Sequence, residues 1–189
     1  MAEVDGQVVV DDELDAERDA RRQLALAQIR QYPDPALRMV AKPVDQFDDD
    51  LRRLVERMSL LMRDAVGVGL AATQVGILRR VFVFDRGNGD GPAAIVNPVV
   101  VEQNEEIASA DEGCLSLQGV LVPVERATTV RIEGKDERGN DVAYDLEANP
   151  ARCVQHEVDH LDGVLIIDRT TPQARREALA MLRPRVVIG

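Results

Sequence analysis

The chain has 189 residues, a net charge of −11, 45% hydrophobic and 30% charged residues, and only 3% aromatics with no Trp. This length suits one domain, or one domain with a tail, whose core needs no disulfide staples. The acidity and the lack of aromatic platforms exclude sequence-specific nucleic-acid binding, and no apolar run reaches the roughly eighteen residues of a membrane span. The first twenty residues have no basic start followed by an apolar stretch, so no secretory signal is expected. Two cysteines do not make a disulfide framework. Together these features point to a reducing cytoplasm.

Residues 1–22 carry Glu3, Asp5, Asp11, Asp12, Glu13, Asp15, Glu17 and Asp19 against Arg18, Arg21 and Arg22. Residues 1–24 therefore read as an acidic N-terminal extension, solvated or helical from about Glu13, with an interaction arm as the sharper alternative. Residues 25–189 read as one catalytic domain. Pro33, Pro35 and Pro43 make residues 31–45 an extended, turning segment. Leu51, Leu54, Val55, Met58, Leu61 and Met62 fall at helical spacing behind the capping run Asp48–Asp50, and this helix should end near Gly67 and Gly69. From Gly76 the chain turns strand-like in ILRRVFVFD, AAIVNPVVV, VLVPV, TTVRIEG and DVAYDLE. A second helix is expected from about Pro150 to Leu161, capped by Asn149 and ended by Gly163. A last one covers about 172–183 and stops at Pro184. Strands in the middle with helices between and after them define an α+β fold rather than alternating βαβ units.

Gln155-His156-Glu157-Val158-Asp159-His160 is the strongest local signal, and it holds both histidines of the chain. Residues four apart share a helix face, so His156 and His160 can bind one metal ion with Glu157 beside it as general base. Cys153 shares that face. Two imidazoles do not complete a catalytic site, which usually takes three protein ligands. Downstream acids are available in Asp162, Asp168 and Glu177; upstream, Cys114 in Glu112-Gly113-Cys114-Leu115-Ser116 offers a loop thiolate. A thiolate with two imidazoles suits zinc, iron, nickel or cobalt equally. The small-residue segment Gly67-Val68-Gly69-Leu70-Ala71-Ala72-Thr73-Gln74 fits a loose dinucleotide pattern, but a helix precedes it and a strand follows, the reverse of that motif's context. It reads either as a tight helix-to-strand turn or as a close backbone approach in which Gln74 offers an amide donor to a polarised carbonyl.

GVGLAATQ, EGCLS and QHEVDH, in this order, resemble the three motifs of the peptide deformylase family, over about residues 25–189. The resemblance implies mixed and antiparallel β-sheets packed around a central helix that bears the HExxH histidines. It implies a metal-dependent hydrolase that removes the formyl group from N-formylmethionine of nascent polypeptides and releases formate. By resemblance Cys114, His156 and His160 are the metal ligands, Glu157 is the general acid/base, and Gln74 with the backbone N–H of Leu115 forms the oxyanion hole. The implied metal is one Fe2+, with Zn2+, Ni2+ or Co2+ as substitutes. Gly67, Gly69, Leu70 and Cys153 are the expected lining of the Met slot. The Arg-rich end (Arg175, Arg176, Arg183, Arg185) reads as a solvated helix face or a contact with the ribosome near its exit tunnel. Asp159 should orient a ligand, pair with a base such as Arg131 or Arg152, or make a surface pair alone. One departure concerns substrate binding: Gln118 stands where family members often have Pro, and no Lys or Arg follows it before Arg126.

Overall fold

The computed structural model describes residues 5–183, with side chains from residue 14 onward. Pro184 and Arg185, and the first acids of the N-terminal segment, lie outside the described residues. Helix α1 (Asp5–Leu26) starts earlier than the expected Glu13 and runs across residue 24. Its residues 14–24 are exposed, but Ala25, Leu26 and then Ile29 are buried in the cluster built on helix α2 (Asp49–Asp64). The acids of α2's cap act as expected: the Asp48 carboxylate accepts the Leu51 N–H at 3.0 Å, and Asp49 and Asp50 sit in the first turn, where the helix dipole favours negative charge. All six apolar residues of its stripe are buried.

Five strands form an antiparallel sheet in the order β1 (Gly69–Ala71), β2 (Val81–Asp85), β3 (Pro92–Gln103), β6 (Thr129–Lys135) and β7 (Asp141–Glu147). Strands β4 (Ile107–Glu112) and β5 (Val122–Ala127) pair antiparallel as a separate ribbon. β2 explains the layering. Its successive side chains point to opposite faces, so Val81 and Val83 join the α2 cluster while Phe82 and Phe84 join the cluster around helix α3 (Ala148–Leu161). The sheet is thus covered on both faces, and the helix on one of them, α3, carries the HExxH sequence. At a β3 bulge Asn97 takes φ 53°, and its side chain clasps the Val44 N–H and C=O at 2.8 Å each. Helices α4 (Ile166–Arg169) and α5 (Pro172–Leu182) cover β5.

Two strands had no signal in the sequence. β1 is three small residues without room for a periodicity, and most side chains of β4 face solvent. Asn149 is not the cap of α3. β7 runs into the helix without a loop, so Glu147 takes the cap position and Ala148 turns the chain at φ 52°, its N–H donated to the Thr128 carbonyl at 3.0 Å. Among the described residues no helix is long and apolar enough to cross a membrane.

Candidate metal centre and substrate cleft

Three segments converge on one face of α3. The histidines, one turn apart, bring their Nε2 atoms to 3.1 Å from each other, and Cys114 Sγ, from the loop after β4, lies 3.2 Å from His160 Nε2. The three candidate ligand atoms all lie within 4.8 Å of one another. A tetrahedral cation with bonds of about 2.0–2.3 Å holds its ligands about 3.3–3.7 Å apart, so the donor set and its spacing fit such an ion. The downstream acids that competed with Cys114 are engaged elsewhere. Asp162 pairs with Arg80 at 2.7 Å, Asp168 with Arg38 and Arg175, and Glu177 accepts from Gln173.

His156 is aimed by Glu112, whose carboxylate lies 3.0 Å from Nδ1 and leaves Nε2 for the pocket. Glu112 had no expected role, and it anchors a buried ionic network. It accepts from Arg126 Nε and Nη2 at 3.0 Å each and from Arg152 Nη1 at 2.8 Å. Burial alone would raise its carboxyl; the hydrogen bonds from His156 and Arg126 outweigh that and hold it at about 2. Arg126 reaches on to Asp159 at 2.6 Å, and Arg169 binds the same carboxylate at 2.6 Å. Asp159 therefore pairs with Arg126 and Arg169, not with Arg131 or Arg152; Arg131 is spent on Asp145 and Glu133 at the sheet surface. The sequence held one clue to Arg126. Val122, Val124 and Arg126 alternate along β5, and the two valines face inward, so the arginine must as well.

Gln74 leaves β1 in a 3₁₀ turn (Ala72–Val75) and is buried. Its Oε1 accepts the Ala71 N–H at 2.9 Å, which turns Nε2 toward Ser116 Oγ at 3.1 Å and Cys114 Sγ at 3.6 Å. The Cys114 carbonyl accepts the Leu117 N–H at 3.0 Å. In a planar trans peptide the Leu115 N–H then points the opposite way. The extended segment pins this loop: Gln31 Nε2 donates to the Leu115 carbonyl at 2.9 Å and Tyr32 N–H to that of Ser116 at 2.9 Å. Gln31 gave no signal in the sequence, because only the tertiary fold brings it there.

Glu157 is buried, and its Oε2 has no hydrogen-bond partner among the described residues; nor does His160 Nδ1. Burial pushes the Glu157 carboxyl up to about 7, with His156 pulling against the rise. Burial also pushes His160 well below the ordinary histidine value, which keeps a lone pair free. Gly69 makes room for this carboxylate, since a Cβ there would meet Glu157 Oε1 at 2.3 Å and Cys153 Sγ at 2.8 Å. Cys153 is held as a thiol by burial and donates to the Val68 carbonyl at 3.3 Å. Gly67, Gly69 and Cys153 line a cleft of about 920 Å³ whose wall also includes Cys114 and His156. Leu70 is not part of that lining. Strand alternation turns it away from Gly69's face, and it is fully buried in the α2 cluster.

A cysteine and two HExxH histidines around one point, with a buried carboxylate and an amide donor at the rim of a cleft, make up a metallohydrolase type of centre. Residues 26–176 match the family profile described as polypeptide deformylase, and the chain belongs to that family. Peptide deformylase from Thermotoga neapolitana is 48% identical over 159 residues, spanning 84% of this chain and 93% of that one. The crystal structure of a peptide deformylase from Legionella pneumophila superposes with a TM-score of 0.78 at 39% identity, covering 82% of this chain and 91% of that one. That from Thermotoga maritima does so with a TM-score of 0.73 at 48% identity, covering 76% and 97%.

Proposed function

We propose that this chain is a peptide deformylase whose working parts are the residues just described. It hydrolyses the formyl group from N-formylmethionine at the start of nascent polypeptides and releases formate. The observation that carries the residue assignment is the convergence of Cys114, His156 and His160 beside a buried carboxylate that has an oxygen to spare. In this reading these three residues hold one divalent cation, Fe2+ in the cell, with Zn2+, Ni2+ or Co2+ able to replace it. When bound, such an ion supplies Lewis acidity, polarising a carbonyl and making water acidic enough to serve as a nucleophile near neutral pH.

The chain's own groups do the rest. Glu157 takes the proton of the attacking water and returns it to the amine that leaves, a role served by a carboxyl tuned to about 7. Gln74 Nε2 and the Leu115 N–H meet the negative charge that grows on the formyl oxygen; one such donor typically lowers the barrier by about 2.7–4 kcal/mol. Glu112 keeps His156 in the tautomer that faces the pocket. Gly67, Gly69 and Cys153 border the slot for the Met side chain, an unbranched thioether suited to apolar surroundings.

Residues 25–189 form the catalytic unit in this reading and the acidic segment before them is an extension. The enzyme works in the cytosol. Contact with the ribosome near the exit tunnel has little support in the Arg-rich helix, because Arg175 is bound to Asp168 and the Ile167 carbonyl, and Arg176 to Gln173. The decisive assay is formate release from a short formyl-Met peptide, with and without a chelator. Release that stops on chelation and returns with Fe2+ is the expected result. Cys114→Ala should lose its metal; full retention of metal and turnover in that variant would end the assignment.

A further inference from the structure

The cleft extends beyond the ligand triad, and at about 920 Å³ it lies near the upper end of ligand sites, which span about 300–1,000 Å³. It therefore has room for more than a formyl-Met residue. Its charged lining is uneven. Arg152 is spoken for by Glu112 and the Val124 and Ala108 carbonyls at 2.6–2.8 Å. Asp85 and Asp111 make the rim acidic, and the segment from Gln118 to Glu125 carries no cation. The remaining cation on the lining is Arg22.

Arg22 comes from α1, and the helix places it there by ordinary geometry. Leu26 is buried in the α2 cluster and also borders the cleft; Arg22 lies one turn earlier on the same face. Its neighbours Arg18 and Arg21 are paired along the helix with Asp15 and Glu17. Among the described residues Arg22 has no ion pair and no side-chain hydrogen bond. Val66, which also lines the cleft, is 78% exposed; its φ of 58° belongs to the turn that ends α2, where the Gly67 N–H donates to the Met62 carbonyl at 2.8 Å.

We propose that Arg22 is a specificity-determining residue of this cleft, and that its guanidinium binds a carboxylate side chain carried by the substrate peptide beyond the formyl-Met. The inference rests on the deformylase reading. It gives the acid-rich N-terminal segment a role in substrate choice, because α1 brings a cation to a cleft whose rim is otherwise acidic and would repel such a peptide.

The test uses the full-length metal-loaded enzyme and formyl-Met peptides with Glu, Gln or Lys placed in turn at the second, third and fourth positions. Formate release gives kcat/KM for each. The wild type should favour Glu over Lys at one position by about two- to fivefold, the range of exposed ion pairs, mainly through KM, and the preference should fade in high salt. Arg22→Ala should abolish or reverse the preference, Arg22→Glu should favour Lys, and Arg22→Lys should retain the original sign. Identical Glu-to-Lys ratios in the wild type and Arg22→Ala at all three positions would overturn the proposal while leaving the deformylase reading intact. No formate from any peptide would overturn both.

Discussion

The two long sides of helix α3 hold buried polar groups under opposite rules. On the side of Arg152, Gln155 and Asp159, the buried groups find protein partners. Gln155 bonds both the N–H and the C=O of Ala127, at 3.1 and 3.0 Å, and Asp159 is shared by two arginines. On the side of Cys153, His156, Glu157 and His160, two buried polar atoms, Glu157 Oε2 and His160 Nδ1, have none among the described residues. A buried polar group without a partner costs about 1–3 kcal/mol. A fold keeps it there when something from outside the chain uses that side. Saturation marks the side that holds the helix in place, and an unfilled bonding capacity marks the side that acts.

The largest effect should come from the acting side. Glu157→Gln keeps the shape of the carboxyl but removes the proton acceptor, and formate release should fall by about 10²–10⁴-fold. The melting temperature should hold or rise, since no partner is lost. A variant that melts markedly earlier would show that this side holds the fold too. The converse change is Arg126→Ala, which strips two carboxylates, Glu112 and Asp159, of their shared cation in the interior. Removing one member of such a buried network costs about 3–5 kcal/mol. Urea unfolding should therefore shift strongly, with turnover per folded, metal-loaded molecule reduced much less than in Glu157→Gln.

The two sides were not equally legible in the sequence. The candidate ligand side was open to reading because its residue types are rare: the chain has two histidines and two cysteines, and the structure brings three of these four together. The holding side was hidden because arginines and carboxylates are common here, and residue type alone does not separate Arg126 from Arg131. Only the alternation of β5, which turns Arg126 inward, separates a buried cation from a surface one. The same logic divides the fold. α2 announced itself by its helical period and β2 and β3 by their apolar runs, whereas β1 was too short to show either. Leu70 was assigned to the cleft from its neighbours in a motif, and a three-residue strand was enough to turn it the other way.

Asp168 extends the comparison to a satisfied group nearer the surface. Burial raises its carboxyl, but Arg38, the Leu165 N–H and Arg175 outweigh that and hold it below the usual aspartate range. The sign follows from linkage. A carboxyl with a lowered folded value stabilises above its unfolded pKa of about 3.9, and this contribution fades as pH falls through the folded value. Asp168→Asn should thus lower the melting temperature at pH 6–7, and the gap to the wild type should close below about pH 4. A gap that stays constant down to pH 3 would mean that packing, not charge, makes the contribution.

The smallest effect belongs at the sheet surface, where Lys135 and Asp141 meet at 2.7 Å across the β6–β7 pair with side chains 41% and 90% exposed. Their separation matches that of the buried contacts around Asp159, so distance alone would rank them together. Solvent separates them. Exposed pairs contribute about 0.2–1 kcal/mol, because water screens the attraction and the long lysine loses rotamer freedom on pairing. Lys135→Ala should therefore change urea stability by no more than this, and less at high salt. A loss as large as that of Arg126→Ala would mean that the distinction between the two sides of α3 lies in contact geometry rather than burial, and partner saturation would then no longer identify which side of a helix holds the fold.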